Sequence, residues 1–371
     1  MEDQLAVNSI LEGLRISFIA GTLRQGGAER QLFYMLKTLR EHRAELELLS
    51  LTGGEFWESR IKEIGVPVIW VGQSPSRISR LVRIIQEVRQ FKPLIVHSQH
   101  FYTNIYAAIA ARATQAREVC AIRNDVTTEV KDTGMLLGYL SLRAPRCLAP
   151  NSHNGVCNAT KLGVSLSRLQ FVPNVVDSEH FCPHRSRREG VNIIGVGRLH
   201  EQKRFDRFIR VFSRLTQDSS IRARGIVVGS GSQRTNLLRE ASNCGLSPDR
   251  FEIRDVVQDP LTIYQDADIL LLTSDTEGTP NVVLEAMSCS LPVVATRVGD
   301  VPALVKHGET GFVFDPEDEE SMVCALRRLC KDPDLRLDMG QKARRFVEAH
   351  HSLKVLPDRL GELYGKARAD R

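Results

Sequence analysis

Short apolar runs recur along the chain, and stretches with helical spacing of their apolar residues lie between most of them. In the first half the runs read "LRISFIA", "AELELLSL", "VPVIWV", "PLIVH", "EVCAI", "RCLA" and "RLQFV"; the second half gives "VNIIGVG", "GIVVG", "ADILLLTS", "LPVVAT" and "GFVF". Strands separated by helix-length segments predict parallel sheets with helices on both faces. Two such series predict an α/β protein of two Rossmann-like, doubly wound domains facing across a cleft, with ligands at the C-terminal ends of the strands. The expected limits are residues 1–175 and 190–352. Pro173, Pro183 and the run Arg185 to Glu189 read as an exposed linker between Val172 and Gly190. One stretch, "RISRLVRIIQEVRQFK" at 77–92, is amphipathic, and its spacing puts Ile78, Leu81, Val82, Ile85 and Val88 on the sheet. Arg80 and Arg83 lie off that face, with Arg77, Arg89 and Lys92 near the ends. That leaves a solvated basic side, or a surface for anionic headgroups.

With 371 residues, 42% of them hydrophobic and 26% charged, the chain has the composition of a globular protein with room for two domains. Its net charge of +5 tolerates an anionic ligand but does not argue for nucleic acid. The 8 cysteines form no CxxC and no ligand cluster, which fits small core residues in a reducing, cytoplasmic compartment. The start, "MEDQLAVNSILEGLRISFIA", is too acidic for a secretory signal, and no apolar run is long enough to span a bilayer.

Several motifs carry chemistry. In "GTLRQGGAER", Gly26 and Gly27 allow a tight turn before a helix near Ala28, where backbone N–H groups can approach an anion. This is not GxGxxG, and that weighs against a dehydrogenase. In "GVGRLHEQKRF", Arg198 and Lys203 follow a strand and suit a diphosphate, although solvated surface is the commoner fate of such residues. In "EGTPNVVLE", Glu277 and Glu285 sit in a loop and in the helix after it. As carboxylates they can clamp a metal, act as an acid and a base, or accept hydrogen bonds from two diols of one ligand; a helix start with a surface glutamate is the plain alternative. Asp266 and Asp268 imitate a metal-binding DxD, but they directly precede "ILLL" and read as a helix end and a strand start. His97 and His100 at a strand end are too few for zinc.

Taken together, "GGAER", "VHSQHFYTN", "NSHNGVCNATKLGV", "GVGRLHEQKRFD" and "EGTPNVVLEAMSCSLPVVATRVGDVPALV" resemble the GT-B glycosyltransferases of family four over nearly the whole chain. The resemblance implies a GT-B fold and a retaining, metal-independent transfer from a nucleotide diphosphate sugar, a UDP- or GDP-sugar, with no cofactor. It implies that Arg198 and Lys203 hold the diphosphate, with the Gly26–Gly27 turn closing on it. Glu277, aided by the backbone of Gly278, Thr279, Pro280 and Asn281, would take the donor sugar, and Glu285 the ribose. Arg123 stands where the family often has a histidine, and it can stabilise a leaving phosphate but not act as a base. His97, His100 and Asn104 fall on the acceptor side, and the last helix, about 353–371, is expected to pack back on the first domain. The acceptor, be it a glycan, a lipid-linked or a small molecule, stays open. So do two rivals: a nucleotide-sugar epimerase of the same architecture and a non-catalytic nucleotide-sugar binding protein.

Overall fold

A computed structural model describes residues 10–73, 76–184 and 189–369. The chain divides into two compact units, Met1–Val175 with Leu353–Arg371, and Val176–Ser352. Residues 185–188 of the expected linker lie outside the described residues, as do residues 1–9 of the acidic start.

The first unit contains β1 (Arg15–Ala20), β2 (Glu45–Ser50), β3 (Val68–Trp70), β4 (Ile95–Ser98), β5 (Arg117–Ile122) and β6 (Leu148–Pro150). They form one parallel sheet in the order β3-β2-β1-β4-β5-β6. The second unit contains β7 (Val191–Val196), β8 (Ala223–Val228), β9 (Phe251–Arg254), β10 (Ile269–Leu272), β11 (Val293–Thr296) and β12 (Gly311–Phe314). Its order, β12-β11-β10-β7-β8-β9, repeats the first sheet's topology. In each sheet the chain reverses its direction of build-up between the first strand and the fourth, β1 beside β4 and β7 beside β10. That switch point leaves a crevice beyond the strand ends, where open α/β sheets bind ligands.

Both faces of each sheet are covered, which explains the unbroken apolar runs. Along β1, Phe18 joins one core and Ile19 the other; along β10, Leu271 and Leu270 divide in the same way. Strands such as "ILLL" and "VVAT" are buried at every position. The final helix, Leu356–Ala369, places Leu356, Leu360, Leu363, Tyr364 and Ala367 in the first unit's core.

Three elements differ from expectation. "RLQFV" runs beside β6, with the N–H groups of Gln170 and Val172 donating to the Leu148 and Pro150 carbonyls at 2.9 Å, but it forms an isolated bridge, Leu148 to Leu169, and not a ladder strand. Conversely, "FEIR" forms the edge strand β9. Only its alternate residues, Phe251 and Ile253, are buried, so it lacks the continuous apolar run of its neighbours. The helix Arg77–Phe91 buries Ile84 and Val88, while Ile78 is 75% and Val82 48% exposed. Leu81, Ile84, Ile85 and Val88 also follow spacings of three and four, so the pattern allowed two faces and packing chose the other one.

Candidate active site

At the switch point of the second unit, two loops leave the neighbouring strands β7 and β10 and are tied together. Asp275 N–H donates to the Gln202 carbonyl at 2.9 Å, and the Gln202 side chain donates to the Thr276 carbonyl at 2.8 Å. The Thr273 hydroxyl bonds the carbonyls of Lys203 and Arg204 at 3.2 and 2.9 Å. Held this way, Lys203 Nζ donates to Glu277 Oε1 at 2.7 Å, and Ser274 Oγ donates to the same oxygen at 2.6 Å. The Arg198 side chain is exposed and makes no ion pair among the described residues. Behind the loops, Asp275 pairs with Arg204 and with the buried Arg207. Glu277 and Gly278 are backed by the turn after β11. There Gly299 has φ +50°, and a Cβ on it would collide with the carbonyl oxygens of Glu277 and Gly278. Asp300 N–H donates to the Gly278 carbonyl at 3.0 Å. Pro280 caps the helix Asn281–Ser288, which carries Glu285; that carboxylate is nearly buried and accepts from the Tyr264 hydroxyl at 2.6 Å.

In the first unit the equivalent switch point brings Gly21 N–H to His100 Nδ1 at 3.1 Å. With Nδ1 accepting, the neutral ring carries its proton on Nε2, which lies 3.2 Å from Glu29 Oε1 and donates to it. Gly26 is extended at φ −157°, so no tight turn demands a glycine there. Its missing side chain instead leaves room for the Glu29 carboxylate, which lies beside it. His97 and Asn104, expected on the acceptor side, are fully buried. His97 stacks on Phe18 and its Nδ1 is 2.9 Å from the Tyr364 hydroxyl; burial, with Arg123 nearby, pushes its pKa down to about 3. Asn104 accepts from Ser98 Oγ at 2.6 Å and donates to the Ala121 carbonyl at 3.0 Å, which makes both residues scaffold. Arg123 is 7% exposed. Its Nη2 reaches Gln99 Oε1 at 3.4 Å, its Nε has no hydrogen-bond partner, and burial lowers its pKa to about 10.

Two family models match this chain almost end to end: "Glycosyltransferase Family 4" over residues 25–180 and "Glycosyl transferases group 1" over residues 178–346. The chain belongs to the GT-B glycosyltransferases of this family. Among curated relatives of this glycosyltransferase is the Arabidopsis thaliana sulfoquinovosyl transferase SQD2, 27% identical over 87% of this chain and 68% of that protein. The D-inositol 3-phosphate glycosyltransferase of Corynebacterium jeikeium is 32% identical over 53% of this chain, and the match spans about half, 51%, of that relative. Anabaena HepE, solved in complex with UDP-glucose, superposes with a TM-score of 0.83 over 94% of this chain and 98% of its own, at 18% identity, a likeness of fold.

The glycosyltransferase thus brings Lys203 and Glu277 into direct contact and sets Glu285 on the helix that follows, while Arg198 projects from the first loop. Asp268 accepts from the backbone N–H of Asn192 at 2.8 Å, at the start of β10 and away from Glu277. Among the described residues no group of three or more His, Cys, Asp and Glu is placed to hold a metal. Three residues that shape the site escaped the sequence reading. Tyr264 and Ser274 gave no local signal, because each acts across a fold contact. Gly299 gave one: a glycine in the turn directly after a buried strand is a candidate for close backbone approach.

Proposed function

We propose that this glycosyltransferase moves a hexosyl group from a UDP- or GDP-sugar to an acceptor hydroxyl, with retention and without a metal, in glycan or glycolipid assembly. The observation that carries the reading is the Lys203–Glu277 contact at the switch point of the second unit, 2.7 Å long, with the exposed Arg198 on the same loop as Lys203. The ammonium rests on the glutamate. A diphosphate would take the ammonium and the Arg198 guanidinium as charged donors, freeing Glu277 Oε1 for a sugar hydroxyl. Glu285, braced by Tyr264, is the partner for a ribose diol. During transfer the acceptor oxygen bonds the anomeric carbon on the face the nucleotide leaves. The bond from that carbon to the phosphate oxygen breaks, and the acceptor proton passes to the departing phosphate. Arg198 and Lys203 stabilise the charge that develops there. The first unit, closed by the last helix, takes the acceptor.

The test is product analysis with UDP- and GDP-sugars, reading the anomeric configuration by NMR. Alanine at Arg198 or Lys203 should lower kcat/KM by roughly one to two decades, as expected for losing a charged hydrogen bond. Activity should survive EDTA. Inversion in the product, full loss on chelation, or unchanged kinetics in both folded variants would each overturn the corresponding part.

A further inference from the structure

The first unit holds an open-sided cavity of about 660 Å³, large enough for most of a small ligand. Its walls come from separate elements: Ile78 and Leu81 of the helix Arg77–Phe91, Ile105 and Ile109 of the helix Asn104–Thr114, then Phe101 and Leu137. Around it apolar side chains remain in solvent, Ile78 and Leu136 each 75% exposed. Arg123 lines the same space. It is more than nine-tenths buried, its Nε has no partner, and no carboxylate pairs with it among the described residues. A guanidinium cannot relieve this by losing its proton near neutral pH, and a buried charge without a counter-ion is costly. Glu129 and Asp132 also line the cavity, but Glu129 accepts from Asn124 at 2.6 Å and neither carboxylate forms an ion pair with the arginine among the described residues. A fully polar ligand would waste the apolar walls, and a neutral lipid would leave Arg123 unpaired.

We propose that this cavity binds an anionic amphiphile, a phosphate or diphosphate ester of a hydrocarbon chain, with the anion on Arg123 and the chain along the apolar walls. That this ligand is the acceptor rests on the transferase reading above. Arg77 and Arg80 add two further positive charges to the lining, against the carboxylates of Glu129 and Asp132. Each methylene buried in the walls is worth roughly a fourfold gain in affinity, so even a short chain should be legible in binding.

Calorimetric titration of the full chain with decyl phosphate, decanol and inorganic phosphate, all below micellar concentrations, tests the site. Decyl phosphate should bind at least tenfold tighter than either of the others. Arg123→Met should remove that advantage over decanol, Arg123→Lys should keep part of it, and Ile109→Glu should weaken both decyl ligands. Tryptophan fluorescence checks folding in each variant. Vesicles of anionic and of neutral lipid separate the two sources. Arg123-dependent binding to anionic vesicles assigns the ester to a membrane lipid, and binding of dispersed decyl phosphate alone assigns it to a soluble ester. Inorganic phosphate or decanol binding as tightly as decyl phosphate overturns the proposal, as does an unaltered titration in Arg123→Met. UDP titrated in parallel separates the two readings. If UDP binds and decyl phosphate does not, only this inference fails. If decyl phosphate binds but no nucleotide sugar is turned over, the transferase reading fails and the cavity stands as a binding site.

Discussion

The carboxylate of Glu285 accepts from the Tyr264 hydroxyl at 2.6 Å, whereas Glu277 shares one oxygen between Lys203 and Ser274. The two surroundings differ, in keeping with the proposal that Glu277 meets the donor sugar and Glu285 the ribose. Glu285→Gln should weaken UDP binding by roughly tenfold or more, since a charged acceptor is lost. Tyr264→Phe should weaken it in the same direction but less, because the carboxylate remains and only its brace is gone. Glu277→Gln should leave UDP affinity nearly unchanged while lowering transfer. Calorimetry with UDP beside turnover with the sugar nucleotide checks all three, and the reverse order would exchange the two roles. The residue types and their spacing were legible because ionised groups on loops after buried strands are conspicuous. The brace was not, since Tyr264 lies in the separate helix Leu261–Gln265 and reads as an ordinary core aromatic. His97 and Asn104 misled for the converse reason. A polar side chain at a strand end or a helix start looks the same in sequence whether it faces a ligand or ties two elements together.

At the scale of elements, turns and register place the chemistry. Gly299 lets the turn after β11 press against the Glu277–Gly278 backbone, in a left-handed conformation that a side chain disfavours. Gly299→Ala should push that loop outward and cost roughly a hundredfold in kcat/KM, the scale of a small misplacement, with only a modest loss of thermal stability. A midpoint shift as large as the kinetic loss would make the glycine merely structural. In the first sheet, Ser17 and Glu47 are register partners on β1 and β2, and the Ser17 hydroxyl donates to the Glu47 carboxylate. Burial raises the Glu47 pKa to about 7, opposed by Ser17, assisted by Glu87 of the helix Arg77–Phe91 and opposed by Arg15. The folded chain therefore holds a proton that the unfolded chain releases from about pH 4.5 upward. Its contribution is complete below that and is lost as the pH rises through about 7. His97 works the other way: its contribution is present above about pH 6.5 and is lost as the pH falls through about 3. The two oppose each other in the native protein, so the informative quantity is a difference. Glu47→Gln should match the native stability near pH 4.5 and exceed it at pH 8, by up to the order of 3 kcal/mol. Both tryptophans, Trp57 and Trp70, lie in the first unit and report its denaturant midpoint directly. A difference that does not change with pH would show that Glu47 is ionised in the fold. The period of the apolar runs predicted both sheets, yet not β9 or the buried face of the helix Arg77–Phe91, because those were decided by which neighbour was available to cover them.

At the scale of the whole molecule, the chain builds the first unit, then the second, and returns to complete the first with its final helix. The two-sheet architecture was legible because parallel strands buried on both faces carry the strongest pattern a sequence can show. The energetic weight of the returning helix was not, since "PDRLGELYGKARA" shows an apolar stripe without its partner. In the fold that stripe closes the core over β5 and the helix Gly27–Glu41, and the Tyr364 hydroxyl meets His97 Nδ1 at 2.9 Å. Tyr364→Phe leaves that buried nitrogen without a partner and should cost about 1–3 kcal/mol. Deleting residues 353–371 removes the buried Leu356, Leu360, Leu363 and Tyr364, each worth roughly 1.5–3 kcal/mol, which is comparable with the whole stability of an ordinary domain. The truncated chain should therefore lose the cooperative tryptophan transition of the first unit. UDP titration then reads the second unit, whose sheet and candidate donor residues are intact in the shortened chain. Retained UDP affinity with a lost tryptophan transition is the expected outcome. A native-like transition after truncation would show that the helix lies on a first unit already complete without it.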